Sequence, residues 1–356
     1  MSETQQLNNI FDEHLGNNFK ETSYDSVFNY FDTNSDSNLD RTEFQVLIEQ
    51  LSVSEDRGPT EDDVNSIFNA LDLNQDGLIS REEFSFAWKY CIKQILKPVK
   101  ALVVVDVQND FITGTLSLRE CPAGQDGYAV VPVINSLLEP NLFDVVVYTL
   151  DWHPDNHISF IDNALLRKLH PSSKVSAEEA NIQDKVIFDV DGSSREQVMW
   201  PRHCVQKTTG AELHPDLKIV NEALYVKKGN NPDVDSYSAF WDNCRLSQTN
   251  LASLLGERHV TDVYVCGLAY DVCVGFTAKH ALKHGFKTVL IEDASRGVSL
   301  DGIYKMKNDL IRKGAHIVDS EQVPRLTSGE LRPFCFLQKA AMNYKVALEL
   351  SINNNK

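Results

Sequence analysis

The sequence predicts an α/β fold, with a three-layer α/β/α Rossmann-like parallel sheet preceded by a small all-α domain. Three observations support this prediction. Valine-rich apolar runs alternate with helical stretches after residue 100, two similar acidic segments repeat within the first hundred residues, and Pro98 separates the two patterns. Runs that are apolar on both faces are typical of strands buried in a parallel sheet, and alternating strands and helices build layered α/β domains.

The composition and charge disfavour several classes of partner. The chain has 356 residues and a formal net charge of −17, and both nucleic acids and anionic membranes bind basic surfaces instead. Residues 1–100 carry 19 acidic and 8 basic side chains, a net of −11, so the acidity is concentrated in the first domain. The seven scattered cysteines and the polar N-terminus predict reduced thiols and a cytoplasmic location, with the nucleus left open.

The two acidic segments are "FDTNSDSNLDRTEF" (31–44) and "LDLNQDGLISREEF" (71–84). Each sets oxygen-bearing residues at alternating positions of a loop that ends in glutamate, which is the spacing that calcium requires for about six to eight oxygen ligands. The predicted calcium ligands are Asp32, Asn34, Asp36, the Asn38 carbonyl and Glu43 in the first loop, and Asp72, Asn74, Asp76, the Leu78 carbonyl and Glu83 in the second.

The two loops differ at the position of the sharp turn. Gly77 permits this turn in the second loop, whereas the first loop has Ser37 there. A non-glycine residue at positive φ costs about 1 kcal/mol, so we expect weaker calcium binding in the first loop, with an empty structural loop as the alternative. Leu39 and Ile79 are expected to pair between the loops. The pair resembles an EF-hand lobe over roughly residues 20–90.

The domain boundary is predicted at Pro98, which disfavours helix at the preceding residue. This gives an EF-hand domain over 1–97 and a second domain over 98–356. Strands are expected at 101–107, 144–150, 223–228, 262–268 and 287–293, with a weaker sixth at 315–320, and helices lie between several of them, as at 274–285 and 301–313. Residues 161–199 fit this alternation poorly and are expected to form an elaborated loop.

Polar residues follow several predicted strands. Asp106 closes the first strand, although a lone aspartate is also typical of a helix cap or a turn. Asp151 and His153 in "DWHPDNH" are two residues apart, so an extended segment directs both to one side, where they could chelate a divalent transition metal. His157 and His203 are candidate further ligands, and a surface turn is the alternative.

A lysine and a cysteine complete the candidate set. Lys227 and Lys228 end another buried strand, and whichever points inward needs a carboxylate such as Asp106 as its partner. Cys273 lies at a strand-to-helix junction, where a helix N-terminus and a nearby cation favour a thiolate; a packing role is the alternative, as for Cys266 within the strand. If the strand order is 3-2-1-4-5-6, Asp106 and Cys273 meet at the carboxyl edge of the sheet.

Five segments together resemble the isochorismatase-like cysteine hydrolases, and within them the nicotinamidases. These segments are "VDVQNDF" (105–111), "DWHPDNHISF" (151–160), "WPRHCVQKT" (200–208), "KKGNNPDVDSYSAF" (227–240) and "CGLAYDVCVGFTA" (266–278). They span most of residues 100–320. The EF-hand lobe and the long 161–199 stretch depart from the short bacterial enzymes and resemble an animal form.

The resemblance implies roles for particular residues. A catalytic triad would comprise Asp106, Lys228 and Cys273, with Lys228 chosen because it precedes Gly229 as in the family's "KG", and Lys227 kept as the alternative. The implied oxyanion hole is formed by the amides of Ala269 and Cys273, after a cis peptide between Leu268 and Ala269. The remaining implied residues are the metal ligands Asp151, His153 and His203, with His157 as a possible fourth, and the aromatic pocket residues Phe111, Trp200 and Tyr237.

The implied activity is conversion of nicotinamide and water to nicotinate and ammonia in NAD salvage, through a thioester on Cys273, with zinc or a similar divalent ion as cofactor beside calcium. One alternative is a metal-free relative that cleaves another amide or a vinyl ether. Another is a calcium-responsive binding protein with an inactive hydrolase domain. The oligomeric state is left open, with a homo-oligomer among the expectations.

Overall fold

The computed structural model describes residues 23–54 and 58–354, without the side chains of 348–354. Residues 1–22 of the predicted first domain lie outside this description. The chain divides into two compact units: Met1–Pro98 with Arg325–Lys356 form the first unit, and Val99–Pro324 form the second unit. None of the described helices combines the length and apolar character that a membrane crossing requires.

The first unit contains two helix–loop–helix motifs. Leu39 of the first loop pairs with Ile79 of the second in a short antiparallel bridge, as the sequence predicts. Asp40 and Ser80 cap the helices that leave the two loops, and each forms a capping box with the glutamate three residues later. The elements are α1 (Ser23–Phe31), β1 (Asn38–Leu39), α2 (Arg41–Leu51), α3 (Glu61–Leu71), β2 (Ile79–Ser80), α4 (Arg81–Ala87), a π-helical turn (Trp88–Ile92) and α5 (Lys93–Leu96).

The second unit is built on a six-stranded parallel sheet. Its order is β10-β9-β8-β3-β4-β7, with parallel pairing at every junction, so the conditional strand order of the sequence analysis is confirmed. The strands are β3 (Lys100–Val105), β4 (Val145–Asp151), β7 (Leu224–Lys228), β8 (Asp262–Leu268), β9 (Lys287–Arg296) and β10 (His316–Val318), and β5 (Lys185–Val190) and β6 (Ser193–Val198) form a separate pair.

Helices cover both faces of this sheet, which gives the predicted three layers. One face packs its valines, among them Val103 and Val265, against α8, α9 and α10, and α7 contacts β8 and β9. Leu102 and Val104, which alternate with Val103, are fully buried as well, as expected for a strand covered on two sides. The helices are α6 (Asn109–Ile112), α7 (Val130–Leu138), α8 (Leu251–Glu257), α9 (Gly275–Lys283), α10 (Leu300–Arg312) and α11 (Val323–Thr327), with 3-10 turns at Leu118–Glu120, Gly127–Ala129, Ile161–Leu166, Thr209–Ala211 and Ser320–Gln322.

The structure corrects two expectations about chain organisation. Residues 161–199 contain the antiparallel pair β5–β6, whose Val186 and Phe188 join Met199 in a small separate core. The predicted second domain extends to residue 356, but residues 325–356 group with the first unit. The physical reason is the long helix α12 (Phe334–Asn354), which packs on α3 and the π-helical turn.

Candidate active site

Four parallel strands deliver polar residues to one edge of the sheet. Asp106 directly follows β3, Asp151 ends β4, and Lys228 ends β7 in register with Asp151. Cys273 lies in a π-helical turn, Tyr270–Val274, between β8 and α9. Because parallel strands present their carboxyl ends at a common edge, residues far apart in the sequence meet there.

Lys228 lies at the centre of the site. Its Nζ is 2.9 Å from Asp106 Oδ2, 2.5 Å from Asp151 Oδ1 and 3.3 Å from Cys273 Sγ. It also donates a hydrogen bond of 2.9 Å to the carbonyl of Ser236. Lys228 is 1% exposed, whereas Lys227 is exposed and its Nζ lies 3.8 Å from the Trp152 ring centroid. The inward lysine is therefore Lys228.

Burial and charge together set the protonation of this cluster. Burial opposes the charge of Lys228, but the carboxylates of Asp106 and Asp151 raise its pKa well above the ordinary value. Burial raises the pKa of Asp106 although Lys228 opposes that shift. Asp106 Oδ2 faces the Lys228 ammonium at 2.9 Å and has no hydrogen bond of good geometry among the described residues, so it takes up a proton only at the expense of this ion pair.

Burial dominates the electrostatics of the Cys273 thiol. It raises the pKa of this thiol well above the ordinary value, and the cation of Lys228 only partly offsets the shift. The nearby cation expected from the sequence is therefore present, at 3.3 Å, but desolvation opposes its effect. One oxygen of Asp106, one of Asp151 and the Cys273 sulfur all lie within 4.8 Å of one another, which places a carboxylate close to the thiol.

The backbone before Cys273 contains the cis peptide bond that the family resemblance implies. The peptide bond between Leu268 and Ala269 is cis. The amides of Val272 and Val274 both donate to the carbonyl of Ala269, which closes the turn that carries Cys273. Ala269 and Cys273 both line the adjacent cavity, so their position is compatible with the oxyanion role predicted for their amides.

A carboxylate and two imidazoles gather beside the lysine. Asp151 Oδ2 is 3.5 Å from His153 Nε2 and 3.9 Å from His203 Nε2. Nδ1 of His153 lies 3.0 Å from the carbonyl of Gly229, and Nδ1 of His203 lies 2.7 Å from the carbonyl of Pro201. A carbonyl can only accept, so each Nδ1 carries a proton, and each Nε2, the nitrogen that faces Asp151, is the one available to a metal ion.

His157 adds a fourth donor near this group. Its ring stacks on His153 with centroids 4.0 Å apart, and its Nδ1 lies 2.7 Å from Ser159 Oγ. Its buried Nε2 has no hydrogen-bond partner among the described residues. A buried imidazole nitrogen without a hydrogen-bond partner, stacked beside a cluster of two imidazoles and a carboxylate, fits a divalent transition metal such as zinc.

An aromatic cavity opens beside Cys273. The predicted pocket residues Phe111, Trp200 and Tyr237 all line it, together with Asp151, His203 and Cys273. Sequence reasoning missed four apolar wall residues, because none belongs to a polar motif: Leu116, Leu118, Val272 and Val298.

Three polar residues near the site were also missed from the sequence. Thr149 Oγ1 donates a 2.5 Å bond to Asp106 Oδ1, and Asp110 accepts the amide of Cys204, next to His203. Asp235 groups with His153 and His157 and accepts a 2.9 Å bond from Gln197 of β6. Asp235 lies within the motif "KKGNNPDVDSYSAF", so the sequence offered a signal for a site residue there. Thr149 lies inside an apolar strand, which offered no such signal.

The calcium loops form a second candidate site, in the first unit. Glu43 Oε1 accepts the amides of Thr33 and Asn34, and Glu83 Oε1 accepts the amides of Leu73 and Asn74. Asp72 Oδ1 is buried and has no partner among the described residues, which fits an oxygen reserved for a cation.

The turn position of each loop has the expected positive φ, 69° at Ser37 and 85° at Gly77. The first loop thus adopts the turn with a serine where the second has a glycine. The two loops therefore share a positive φ at this position, and in the first loop the serine side chain adds strain there.

Comparisons with known proteins identify both units. The sequence model of the isochorismatase domain matches residues 100–322, and that of the EF-hand domain pair matches residues 21–89. A nicotinamidase of Acinetobacter baylyi is 38% identical over 225 residues, which are 63% of this chain and 94% of that enzyme.

Solved structures of nicotinamidases are similar to this chain as well. An Acinetobacter baumanii nicotinamidase/pyrazinamidase is 39% identical with a TM-score of 0.53, and the match covers 64% of this chain and 98% of that one. The yeast nicotinamidase bound to the inhibitor nicotinaldehyde is 31% identical with a TM-score of 0.53, over 62% of this chain and 99% of that one. The chain therefore belongs to the isochorismatase family, is an amidohydrolase like its nicotinamidase relatives, and carries an EF-hand pair before its isochorismatase domain.

Proposed function

We propose that this chain is a nicotinamidase, which hydrolyses nicotinamide to nicotinate and ammonia through a thioester on Cys273. The observation that supports this most is the contact of buried Lys228 with Asp106, Asp151 and Cys273 at the wall of an aromatic cavity. The identity of 38% to a nicotinamidase supports the choice of substrate. So does the yeast relative that binds nicotinaldehyde, since this compound also joins a carbonyl carbon to a pyridine ring.

In the first half of the reaction, Asp106 acts as the base. Its carboxylate takes the proton of the Cys273 thiol, and the sulfur bonds to the carboxamide carbon. The carbonyl oxygen becomes an oxyanion that the amides of Ala269 and Cys273 stabilise. The C–N bond then breaks, and Asp106 returns its proton to the departing ammonia.

In the second half, Asp106 acts as the base again. It takes a proton from a water molecule whose oxygen attacks the thioester carbon. The C–S bond breaks, nicotinate forms, and the proton returns to the sulfur of Cys273. Lys228 keeps Asp106 charged at the start of each half, because its cation is the closest counter-ion to that carboxylate.

The metal cofactor is the second part of the proposal. Asp151, His153 and His203, whose ligand atoms lie within 4.8 Å of one another, would hold a divalent transition ion such as zinc. His157, which groups with His153 and Asp235, is the candidate additional ligand. When bound, this ion supplies a Lewis acid that orients the pyridine nitrogen of the substrate. Phe111, Trp200 and Tyr237 would hold the flat ring between them.

Release of ammonia from nicotinamide tests the activity. We expect Cys273→Ala to abolish release while the protein stays folded. Cys266→Ala is the matched control, since Cys266 is fully buried within β8 and its sulfur lies 4.0 Å from the carbonyl of Val103; it should retain turnover. Ammonia release by Cys273→Ala at the rate of the unchanged chain would refute the covalent mechanism.

Two alternatives make different predictions. A metal-free relative acting on another amide would contain no stoichiometric zinc in elemental analysis. An inactive calcium-responsive protein would bind calcium without releasing ammonia. The orphaned nitrogen of His157 favours the metal-dependent enzyme over both.

We also propose that both EF-hand loops bind calcium. In addition, we propose that the enzyme acts in NAD salvage, since the nicotinate that it would release is a precursor of NAD. Calcium titration of the full chain followed by calorimetry tests the first of these. Two binding events are expected, with the weaker one in the loop that has Ser37.

A further inference from the structure

The C-terminal helix α12 covers the EF-hand lobe of its own chain. Five of its residues are buried at i, i+1, i+4, i+5 and i+8, which forms one apolar stripe along the helix: Phe336, Leu337, Ala340, Ala341 and Tyr344. Met342 and Val346, off this stripe, are 65% and 53% exposed. The stripe packs on α3, the π-helical turn and α5, the way an amphipathic target helix lies in an apolar groove.

Polar contacts fix the register of this helix. Gln338 Nε2 donates to Asp63 Oδ1 at 3.2 Å. The Tyr344 ring stacks on Tyr90 of the π-helical turn, with centroids 6.1 Å apart and an interplanar angle of 14°. Leu337 is 1% exposed at the centre of the stripe. Apolar burial and these side-chain contacts together favour one docked position.

The segment before α12 is attached to the lobe as well. The backbones of Val53 and Arg332 exchange two hydrogen bonds, of 3.0 and 2.8 Å. The Arg332 guanidinium donates to the carbonyls of Leu51, at 2.9 Å, and Gln50. These are carbonyls of the last turn of α2, which have no partners within the helix. Residues 329–347, the C-terminal segment, therefore dock through both strand-like and helical contacts.

Apart from α3, the elements that this segment contacts belong to the helices that leave the two calcium loops. Glu43, the last ligand of the first loop, lies in the first turn of α2, and Arg332 binds the other end of α2. Glu83, the last ligand of the second loop, lies in α4, which continues into the π-helical turn that carries Tyr90. In calcium-sensing EF-hands, ligation by these glutamates changes the angle of the helices and exposes the groove between them.

We propose that the C-terminal segment is the built-in helical ligand of the EF-hand lobe, and that its docking and calcium binding are coupled so that each strengthens the other. The coupling follows because the groove surface that α12 needs depends on the positions of the two exiting helices. By linkage, the factor by which calcium strengthens docking of the segment equals the factor by which docking strengthens calcium binding. The inference rests on the calcium binding proposed above and does not depend on the nicotinamidase activity.

The test measures calcium affinity of the full chain by titration calorimetry. Leu337→Ala removes the most buried large side chain of the stripe, and we expect calcium affinity to fall at least about fivefold, the lower end of typical coupling between sites. Met342→Ala is the matched control on the exposed side of the same helix and should bind calcium as the unchanged chain does. Equal affinity in all three proteins would overturn the coupling, and absence of calcium binding in the unchanged chain would overturn it together with the calcium proposal.

A second measurement needs no substitution. Hydrogen exchange of residues 334–347 in the unchanged chain is followed with calcium and after calcium chelation. We expect faster exchange of α12 amides without calcium, because the docked state is less populated. Equal protection in both conditions would overturn the proposal, even if Leu337→Ala fails to fold.

Discussion

Gly229 shows how closely the backbone approaches the metal-ligand candidates. Its φ is +69°, and a Cβ built there would lie 2.4 Å from Cε1 and 2.5 Å from Nδ1 of His153. No side chain fits without displacing the imidazole. The glycine of the "KG" pair is thus explained by contact as well as by conformation.

We predict that Gly229→Ala weakens zinc binding about 10–100-fold, the range reported when the supporting contacts of a ligand are lost. The matched control is Gly192→Ala. Gly192 also has a positive φ, +79°, but a Cβ there would meet nothing within 4 Å. Both variants carry the same conformational strain, and only Gly229→Ala should lose metal. A zinc titration with a chromogenic chelator measures this, and equal metal loss in the two variants would contradict it.

The two neighbouring lysines give a second residue-scale prediction. Lys228→Met removes the cation that pairs with both Asp106 and Asp151 and leaves two buried carboxylates to repel each other. We expect loss of ammonia release, and destabilisation of about 3–5 kcal/mol as for other broken buried pairs. Lys227→Met is the control, since this lysine is exposed over Trp152, and should change both quantities little. Turnover and urea unfolding are measured on each variant; retained turnover in Lys228→Met would exclude the role of Lys228.

The sequence predicts the residues of this site that stand in strand-end motifs, and it does not predict the residues that support them. Asp106, Lys228 and Cys273 follow apolar runs, so a parallel sheet brings them to one edge. Thr149 bonds Asp106 across 43 positions of sequence, and one sequence carries no signal for such a pair. The raised pKa of the Cys273 thiol is likewise a consequence of burial, which depends on the surrounding fold.

At the element scale, Asp309 links α10 to α9. Lys313, in the turn after α10, and Lys279 of α9, at 3.0 Å, both pair with its carboxylate, and hydrogen bonds from Lys313 and Lys279 lower the pKa of Asp309 to about 2. A carboxyl pKa that is lower in the folded state stabilises the fold above the unfolded value of about 3.9. This contribution is lost as the pH falls through about 2.

We predict that Asp309→Asn lowers the free energy of unfolding at pH 7 by less than about 1 kcal/mol, because solvent screens partly exposed pairs. The difference from the unchanged chain should shrink below pH 4 and vanish near pH 2. Asp301→Asn is the control, because Asp301 in the first turn of α10 is 70% exposed and pairs only with exposed Lys305. Urea unfolding across this pH range is the measurement, and a pH-independent difference for Asp309→Asn would contradict the assignment.

Elements were predictable where a local pattern carries the information. All six strands of the sheet fall on the predicted runs, and the four interior strands are largely apolar because they are buried on two faces. The β5–β6 pair was missed because β6, "SSREQV", is polar. The apolar residues of β5 face only a small separate core. The position of α12 was also missed, since an amphipathic stripe shows that a helix is buried without showing which unit covers it.

At the scale of the whole molecule, each unit has its own apolar core and its own candidate cation site. The division falls at Pro98, as the sequence predicts, and again near residue 325, which the sequence does not indicate. The net charge of −11 in residues 1–100 is explained in part by the two loops, whose acidic side chains are the predicted calcium ligands of the EF-hand pair. Acidity concentrated in this way costs stability when no cation is present, since like charges repel.

Calcium should therefore stabilise the first unit specifically. A ligand that binds only the folded state adds about 2.7 kcal/mol at a concentration of 100 times its dissociation constant, which raises the melting temperature of the unit that binds it. We predict that Glu83→Gln loses most of this calcium-dependent rise in thermal unfolding, because Glu83 is buried and is the predicted twelfth-position ligand of the second loop. Glu82→Gln makes the same charge change at the adjacent exposed position and should keep the full rise. If the two variants respond to calcium alike, the stabilisation comes from general neutralisation of acidic charge and not from a bound ion in the second loop.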